Sequence, residues 1–285
     1  MRVHYFNSVW IAFLLERVFR YRRKVVEQNL FFAFPEMSEQ ERIQVRHQFY
    51  RHFTRLFLEA LWFGSSRSTE QLIKSGLVRV TNPEQVNSMY EASPSVMVLC
   101  AHTGNWELIG GILSYPHPKR FCFDENAIVV VYRKLSNAIF DAIFKENRTA
   151  RLEMDPKEYT GAVESLVALR YVIRHYKEKK MYCFITDQRP YVSVETAPSI
   201  MFMHRECRIM QASAVMAQRF SMAVMYCRMR EESIGHYTME FVPVCDDASK
   251  MSVDDIMKRY FQLLEEDLHA QPYNYLWTHN RWWQP

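Results

Sequence analysis

Short apolar runs alternate with stretches of helical periodicity through most of the chain beyond about residue 77. Three of these runs are apolar at nearly every position, as in strands buried on both faces of a sheet: 95–100, 127–132 and 181–186. Two further strands are predicted at 222–229 and 237–244. Helices are predicted at 105–113, 136–148, 159–176, 208–220 and 253–269. This alternation predicts a single α/β domain with a central, mostly parallel or mixed sheet flanked by helices.

Residues 1–64 have no strand pattern, and their apolar positions follow helical spacing. Phe34-Pro35 ends one predicted helix, because proline disfavours a helical conformation at the residue before it. Ser38-Glu-Gln-Glu41 has the pattern of a capping box and opens a second helix towards Phe63. We interpret the apolar stripe of this helix as facing the core in preference to lipid: Phe49, Phe53, Leu56, Phe57 and Leu61. We therefore predict a helical region at 1–64, followed by an α/β domain at 65–285.

The positive charge of the chain is concentrated near its N-terminus. The whole chain has 36 Lys and Arg against 32 Asp and Glu, whereas residues 1–55 hold ten basic and five acidic residues. This basic segment adjoins the apolar residues 5–15, which fits an anionic membrane surface; nucleic acid or a solvated basic helix are the alternatives from charge alone. Residues 5–15 are too few to cross a bilayer. We therefore predict that this segment associates with a membrane without crossing it, either anchored in its surface or lying on it.

Motif content argues against several classes of enzyme. The chain has only 7 glycines and lacks the G-x-G-x-x-G, G-x-x-x-x-G-K-[ST] and G-x-S-x-G motifs of nucleotide-binding proteins and serine hydrolases. Its 6 cysteines form no C-x-x-C pair, and several lie within apolar runs. We interpret them as small core residues. Because no H-E-x-x-H or comparable ligand set is present, we expect no metal and no cofactor.

Polar residues follow three of the predicted strands, at the edge where open α/β sheets bind ligands. The first strand leads into His102-Thr-Gly-Asn-Trp-Glu107, the second into Arg133, and the third into Asp187-Gln-Arg-Pro190. Arg133 is expected to bind a phosphate or to stabilise developing negative charge, with a surface ion pair as the alternative. The segment from Asp187 to Pro190 is equally well explained as a turn after a strand.

His102 and Glu107 can meet only if a helix begins between them, because residues five apart on one helix point about 140° apart. Gly104 permits such a turn, and Asn105 is suited to cap the helix. Glu107 would then hold the imidazole in one tautomer and leave its other nitrogen as a general base. The spacing alone is weak evidence, since about one such pair is expected by chance and the chain has one. A histidine at the end of a strand, without catalytic role, is the alternative.

Five blocks taken together resemble the lipid A biosynthesis acyltransferases, the late lauroyl or myristoyl transferases of the lysophospholipid acyltransferase superfamily. The blocks are residues 21–30 with Phe34-Pro35, residues 102–108, Tyr132-Arg133 with Asn137, Asp187-Gln188 with Pro190, and residues 275–282. Because they occur in the family's order, the resemblance extends over nearly the whole chain.

The resemblance implies a glycerolipid acyltransferase-like fold and a specific reaction. A fatty acyl group would pass from an acyl carrier protein thioester to a hydroxyl of a lipid A precursor or related glycolipid, without an acyl-enzyme. The protein would act at the cytoplasmic face of the bacterial inner membrane, with no nucleic-acid partner. The alternatives are an acyltransferase for another lipid acceptor, such as a lysophospholipid or an ornithine-type lipid, and a non-catalytic membrane-binding protein.

The resemblance also implies roles for individual residues. His102 would be the general base, Glu107 its partner, and Arg133 would act at the reacting carbonyl or hold a phosphate. The predicted substrate-binding residues are Asn105, Asn137, Asp187 and Gln188.

Overall fold

The computed structural model describes residues 2–65, 69–134, 141, 161–190 and 195–282. Its N-terminal part consists of α1 (Arg2–Phe13), a π-helical turn (Leu14–Val18), α2 (Arg23–Ala33) and α3 (Glu39–Ser65). The prediction of a helical N-terminal region is therefore confirmed.

The predicted boundary between α2 and α3 is also confirmed. Helix α2 ends just before Pro35, and the predicted capping box stands at the start of α3. Ser38 N–H donates to Glu41 Oε2 at 2.7 Å, and Glu41 N–H donates to Ser38 Oγ at 3.3 Å. Each of the two side chains thus accepts a hydrogen bond from a backbone N–H group that has no partner within the helix.

The remaining described residues form an α/β unit. Its strands are β1 (Val78–Val80), β2 (Val96–Cys100), β3 (Ile128–Tyr132), β4 (Ala162–Glu164), β5 (Met181–Ile185), β6 (Ser199–Phe202), β7 (Arg205–Arg208), β8 (Ala223–Ser233) and β9 (His236–Cys245). Its α-helices are α4 (Thr69–Ser75), α5 (Pro83–Ala92), α6 (Ala168–His175), α7 (Ala212–Arg219) and α8 (Val253–Ala270). Short 3₁₀ helices lie at Trp106–Ser114, Glu125–Ala127, Ser165–Val167 and Ala248–Lys250.

Seven of the strands form one sheet, in the order β1-β9-β8-β2-β5-β3-β4, and β6 pairs with β7 separately. Within the large sheet β8 and β9 are antiparallel, and the other neighbouring pairs are parallel. The predicted mostly parallel or mixed sheet of an α/β fold is therefore confirmed. Because β2, β5, β3 and β4 run in the same direction, their carboxyl ends meet at one edge of the sheet.

The five predicted strands correspond to β2, β3, β5, β8 and β9, and the last predicted helix corresponds to α8. The helix predicted at 159–176 is wrong in its first half, where β4 pairs with β3 at the edge of the sheet before α6 begins. The helix predicted at 208–220 begins only at Ala212, because Arg208 still pairs across β7 with β6. The helix predicted at 136–148 lies outside the described residues, apart from residue 141.

The sheet is covered on both faces by apolar side chains. All five residues of β2 are buried; Met97 and Leu99 belong to one core cluster, and Val96, Val98 and Cys100 to another. This division follows from the alternation of side chains along a strand.

The apolar stripe of α3 is only partly directed at this core. The prediction is confirmed for Phe49, Phe53 and Leu56, which are buried, and wrong for Phe57 and Leu61, which are exposed.

The N-terminal segment exposes several large apolar side chains while a buried ion pair fastens it to α3. Trp10 is 61% exposed and Phe19 is 71% exposed. Glu16 is buried, and its Oε1 accepts a hydrogen bond from Arg46 Nε at 2.8 Å. Among the described residues, no helix has both the length and the apolar character needed to cross a membrane. Association of this segment with a membrane stays a prediction.

Candidate active site

His102 lies just beyond β2, and its imidazole is bound to a carboxylate that lies just beyond the neighbouring strand β5. The Nδ1 atom of His102 lies 2.7 Å from Oδ1 of Asp187. The parallel register of the two strands places Cys100 opposite Ile185, so the residues two positions further on each strand emerge side by side. Two of the predicted site residues are thus brought together at the carboxyl edge of the sheet.

Asp187 is fully buried at the base of this pair. Burial by itself raises the pKa of Asp187, but the charge of His102 and hydrogen bonds from His102 and Tyr275 outweigh it. The pKa of Asp187 therefore lies below its usual value, and the carboxylate is ionised at neutral pH. The side chain of His102, in contrast, is 15% exposed, so solvent or substrate reaches the imidazole.

Gln188 also approaches this imidazole. Its Nε2 atom lies 3.3 Å from His102 Nε2 and 3.5 Å from His102 Nδ1, so the amide contacts both ring nitrogens. Since Asp187 accepts the proton carried by Nδ1, Nε2 has a free lone pair.

Glu107 lies in the first turn of the 3₁₀ helix that begins at Trp106. The predicted start of a helix between His102 and Glu107 is therefore confirmed, although the helix is 3₁₀ and not α. Trp106 Nε1 donates to Glu107 Oε1 at 3.2 Å, and the Trp106 ring packs edge-on against the His102 imidazole with centroids 4.9 Å apart. Trp106 thus connects Glu107 with His102, and a direct pairing of His102 with Glu107 stays a prediction.

Arg133 lies just beyond β3, which pairs in parallel with β5 on the side away from β2. It is exposed and belongs to the same edge of the sheet as Asp187. Its catalytic role stays a prediction. Asn137 lies outside the described residues.

A model of the bacterial lipid A biosynthesis acyltransferases matches residues 2–284, essentially the whole chain. The chain belongs to this family. It is therefore an O-acyltransferase, and its family implies an acyl donor and a lipid A-type acceptor. No curated protein matches the chain at a significant level. The match confirms the resemblance seen in the five sequence blocks.

The turn that carries His102 in this acyltransferase requires glycine at position 104. Gly104 has φ +55°, and a Cβ atom there would lie 2.4 Å from Cγ of Met229. Its N–H donates to Asn274 Oδ1 at 2.7 Å, and Leu276 N–H donates to the His102 carbonyl at 3.1 Å. The segment around Asn274 and Leu276 thus fixes one side of the turn.

Asn105 fixes the other side of the turn. It occupies the N-cap position, but the prediction that its side chain caps the helix is wrong, since no capping hydrogen bond is formed. Its Nδ2 atom instead donates to the carbonyl of Leu56 at 3.2 Å and to Oε2 of Glu59 at 3.0 Å. Asn105 is buried, and its predicted role in substrate binding stays a prediction.

His279 also lies within electrostatic reach of the His102–Asp187 pair. Burial lowers the pKa of His279, the negative charge of Asp187 opposes this, and the positive charges of His102, Arg281 and Arg189 add to it. The net result is a pKa of about 4, so His279 is neutral at pH 7. In the sequence, the feature that points to His279 is its place in the block at 275–282.

Among the described residues, no three His, Cys, Asp or Glu side chains cluster as a metal site requires. The chemistry that the described site offers is that of a partly exposed imidazole held by a buried carboxylate. Such a pair acts as a general base towards a hydroxyl.

Proposed function

We propose that this acyltransferase moves a fatty acyl group from an acyl carrier protein thioester to a hydroxyl of a lipid A precursor, with His102 as general base. The observation that carries the proposal is the 2.7 Å hydrogen bond between His102 Nδ1 and Asp187 Oδ1. It holds a partly exposed imidazole at the edge of the sheet where α/β proteins bind substrates. The family supports acyl transfer to a lipid A-type acceptor, and the five sequence blocks favour the acyl carrier protein as donor.

The hydrogen bond to Asp187 determines which nitrogen of His102 acts on the substrate. A carboxylate can only accept, so Nδ1 carries the proton and Nε2 presents its lone pair. The Gln188 amide lies 3.3 Å from this Nε2 atom. In the reacting complex the acceptor hydroxyl donates to this Nε2 lone pair.

The proposed reaction proceeds by direct attack on the thioester. As the hydroxyl oxygen forms a bond to the carbonyl carbon, its proton moves to His102 Nε2 and the carbonyl electron pair moves onto oxygen. When the tetrahedral intermediate collapses, the C–S bond breaks and the leaving thiolate takes the proton from the imidazolium. The products are an ester and a free thiol, and His102 returns to its neutral form.

Asp187 supports this cycle because it is ionised when the imidazole becomes positively charged. A buried carboxylate of this kind fixes the tautomer and stabilises the imidazolium without itself taking the proton. Arg133 is proposed to stabilise the negative charge on the carbonyl oxygen or to bind a phosphate. Glu107 is proposed as a second carboxylate close to His102, connected to it through Trp106.

We further propose that the protein works at the cytoplasmic face of the bacterial inner membrane, with its N-terminal segment on the lipid surface. The exposed side chains of Trp10, Phe13 and Phe19 support this placement, since aromatic residues favour the membrane interface. Arg17 and Arg20, which lie beside them in the sequence and are also exposed, suit anionic headgroups.

The experiment that tests the mechanism is acyl transfer by His102→Ala with an acyl carrier protein donor and a lipid A precursor. We expect kcat to fall by about 10²- to 10⁴-fold, with an unchanged circular dichroism spectrum and melting temperature. Wild-type turnover by the folded variant would overturn the role of His102.

The acceptor is tested by offering the wild-type protein a lysophospholipid and an ornithine-type lipid in parallel reactions. Activity on the lipid A precursor with little on the others is expected. Activity on lysophospholipid alone would overturn the proposed acceptor while leaving acyl transfer intact.

A further inference from the structure

The carboxylate of Glu59, on α3, is buried against the turn that carries His102. Glu59 is only 2% exposed. Its Oε2 atom accepts hydrogen bonds from Asn105 Nδ2 at 3.0 Å and from Tyr237 Oη at 2.9 Å. Asn105 lies between His102 and Glu107 in the chain, so Glu59 is linked to the candidate catalytic segment by a single side-chain hydrogen bond.

A carboxyl group in this position is unfavourable unless it has a specific partner. Burying a carboxyl group without hydrogen bonds is costly, and the neighbouring core positions on α3, Leu56 and Phe63, are apolar. Glu59 has several polar neighbours, and Asn105 is the one that belongs to the His102 turn.

The turn is therefore held from two directions. On one side Asn274 Oδ1 accepts from Gly104 N–H at 2.7 Å, and Asn274 is itself held by a 3.1 Å hydrogen bond from its Nδ2 to the Met229 carbonyl. On the other side Glu59 holds Asn105. General-base catalysis is sensitive to such anchoring, because a displacement of about 1 Å can cost 10²-fold in rate.

We propose that Glu59 is a positioning residue for acyl transfer, which holds the His102 turn through Asn105 so that the imidazole keeps its contact with Asp187. This inference rests on the proposed role of His102 as general base. Glu59 acts only through Asn105 and does not touch the substrate.

The test is a set of variants assayed for acyl transfer with an acyl carrier protein donor and a lipid A precursor. Glu59→Ala and Asn105→Ala should each lower kcat by about 10- to 100-fold with little change in KM. The double variant should be no slower than the slower single variant, because both changes remove the same link. Glu59→Gln keeps an acceptor oxygen for Asn105 and should recover most of the lost turnover.

Tyr237→Phe is the matched control. It removes a hydrogen bond to the same Glu59 oxygen that binds Asn105 and leaves the link to Asn105 in place. We expect its kcat to stay close to that of the wild type. If Tyr237→Phe lowers kcat as much as Glu59→Ala does, Glu59 contributes to general stability and the proposal is overturned.

Hydrogen exchange provides a readout that does not depend on activity. In Glu59→Ala the amides of residues 103–107 should exchange faster, while those of β5 and α8 exchange as in the wild type. Uniformly faster exchange, or wild-type kcat in folded Glu59→Ala, would overturn the positioning role. If Glu59→Ala does not fold, Asn105→Ala tests loss of the same link, and wild-type kcat in that variant would overturn the positioning role. Full activity of His102→Ala would instead contradict the proposed function, in which His102 is the general base.

Discussion

Asp187 follows His102 by 85 positions in the chain, yet its Oδ1 atom lies 2.7 Å from the Nδ1 atom of His102. The register of two neighbouring parallel strands, β2 and β5, produces this contact. The carboxylate that fixes the imidazole therefore comes from a different strand, whereas Glu107 shares a segment with His102 and accepts a hydrogen bond from Trp106.

Replacing Asp187 by asparagine tests the tautomer of His102. The asparagine amide would donate to Nδ1, which moves the imidazole proton to Nε2 and removes the lone pair that accepts the substrate proton. We expect kcat to fall by about 10²- to 10⁴-fold with a smaller change in KM, measured by steady-state acyl transfer.

Glu107→Gln is the comparison for this variant, since it removes a charge from the other candidate carboxylate without changing its shape. It should reduce kcat more than it affects KM, and less strongly than Asp187→Asn does. The reverse order of losses would make Glu107 the main partner of His102.

The turn at Gly104 gives a second prediction. Alanine there must adopt φ +55° and place Cβ 2.4 Å from Cγ of Met229. Gly76→Ala is the control, because Gly76 has φ +61° but a Cβ atom there would lie 3.3 Å from its nearest neighbour, Nδ1 of His236. Gly76→Ala should lower the free energy of unfolding by about 1–3 kcal/mol, and Gly104→Ala by more. Urea unfolding measures both.

The two glycine variants should also differ in kcat. Only Gly104→Ala should reduce kcat, and adding Met229→Ala should restore part of the loss by relieving the contact. Equal kcat in Gly104→Ala and Gly76→Ala would show that the turn tolerates displacement.

The lowered pKa of His279 predicts how the free energy of unfolding depends on pH. Its pKa is about 4 in the folded protein against 6.5 ordinarily, mainly because it is buried. Between these values the unfolded chain binds a proton that the folded chain does not. The free energy of unfolding should therefore fall as pH drops from 6.5 to 4, with up to about 3 kcal/mol due to this residue.

The measurement is urea unfolding of the wild type and His279→Gln at pH 7 and pH 4.5. The variant should lose less stability between the two pH values, because glutamine does not titrate. His236→Gln, a change at an exposed histidine, should leave the loss as in the wild type. An identical loss in His279→Gln and the wild type would contradict the assignment.

Membrane association is tested by co-sedimentation with phosphatidylglycerol vesicles. Trp10→Asp combined with Phe13→Asp should weaken binding by at least about tenfold, since burial of each large apolar side chain is worth about 1.5–3 kcal/mol. Val215→Asp is the control, because Val215 is an exposed apolar residue of α7, outside the N-terminal segment. Undiminished binding of the double variant would exclude the N-terminal segment as the contact.

The strands buried on both faces of the sheet and the capping box of α3 can be predicted from the sequence, because both are local patterns. The sequence does not show that β2 and β5 are neighbours, so it predicts Asp187 as a substrate-binding residue and not as the partner of His102. A spacing rule can pair His102 only with residues of its own segment. Glu59 is the only charged residue of the run 56–63, but this setting does not show that its carboxylate reaches Asn105, 46 positions away.

The edge strand β4 was missed for a different reason. Its three residues, Ala162–Glu164, are too few to show an alternating pattern, and they run directly into helical residues. Pairing with β3 determines their conformation, and that pairing is a tertiary interaction.

Asn29, on α2, donates from its Nδ2 atom to the carbonyls of Trp277 at 2.8 Å and His279 at 2.7 Å, across 248 and 250 positions of the chain. The segment that it holds also supplies Tyr275, the hydrogen-bond donor to Asp187. During synthesis on the ribosome, a nascent chain that has already exposed His102 and Asp187 still lacks this support. Acyl transfer should therefore require residues 274–279 to have emerged and docked against α2.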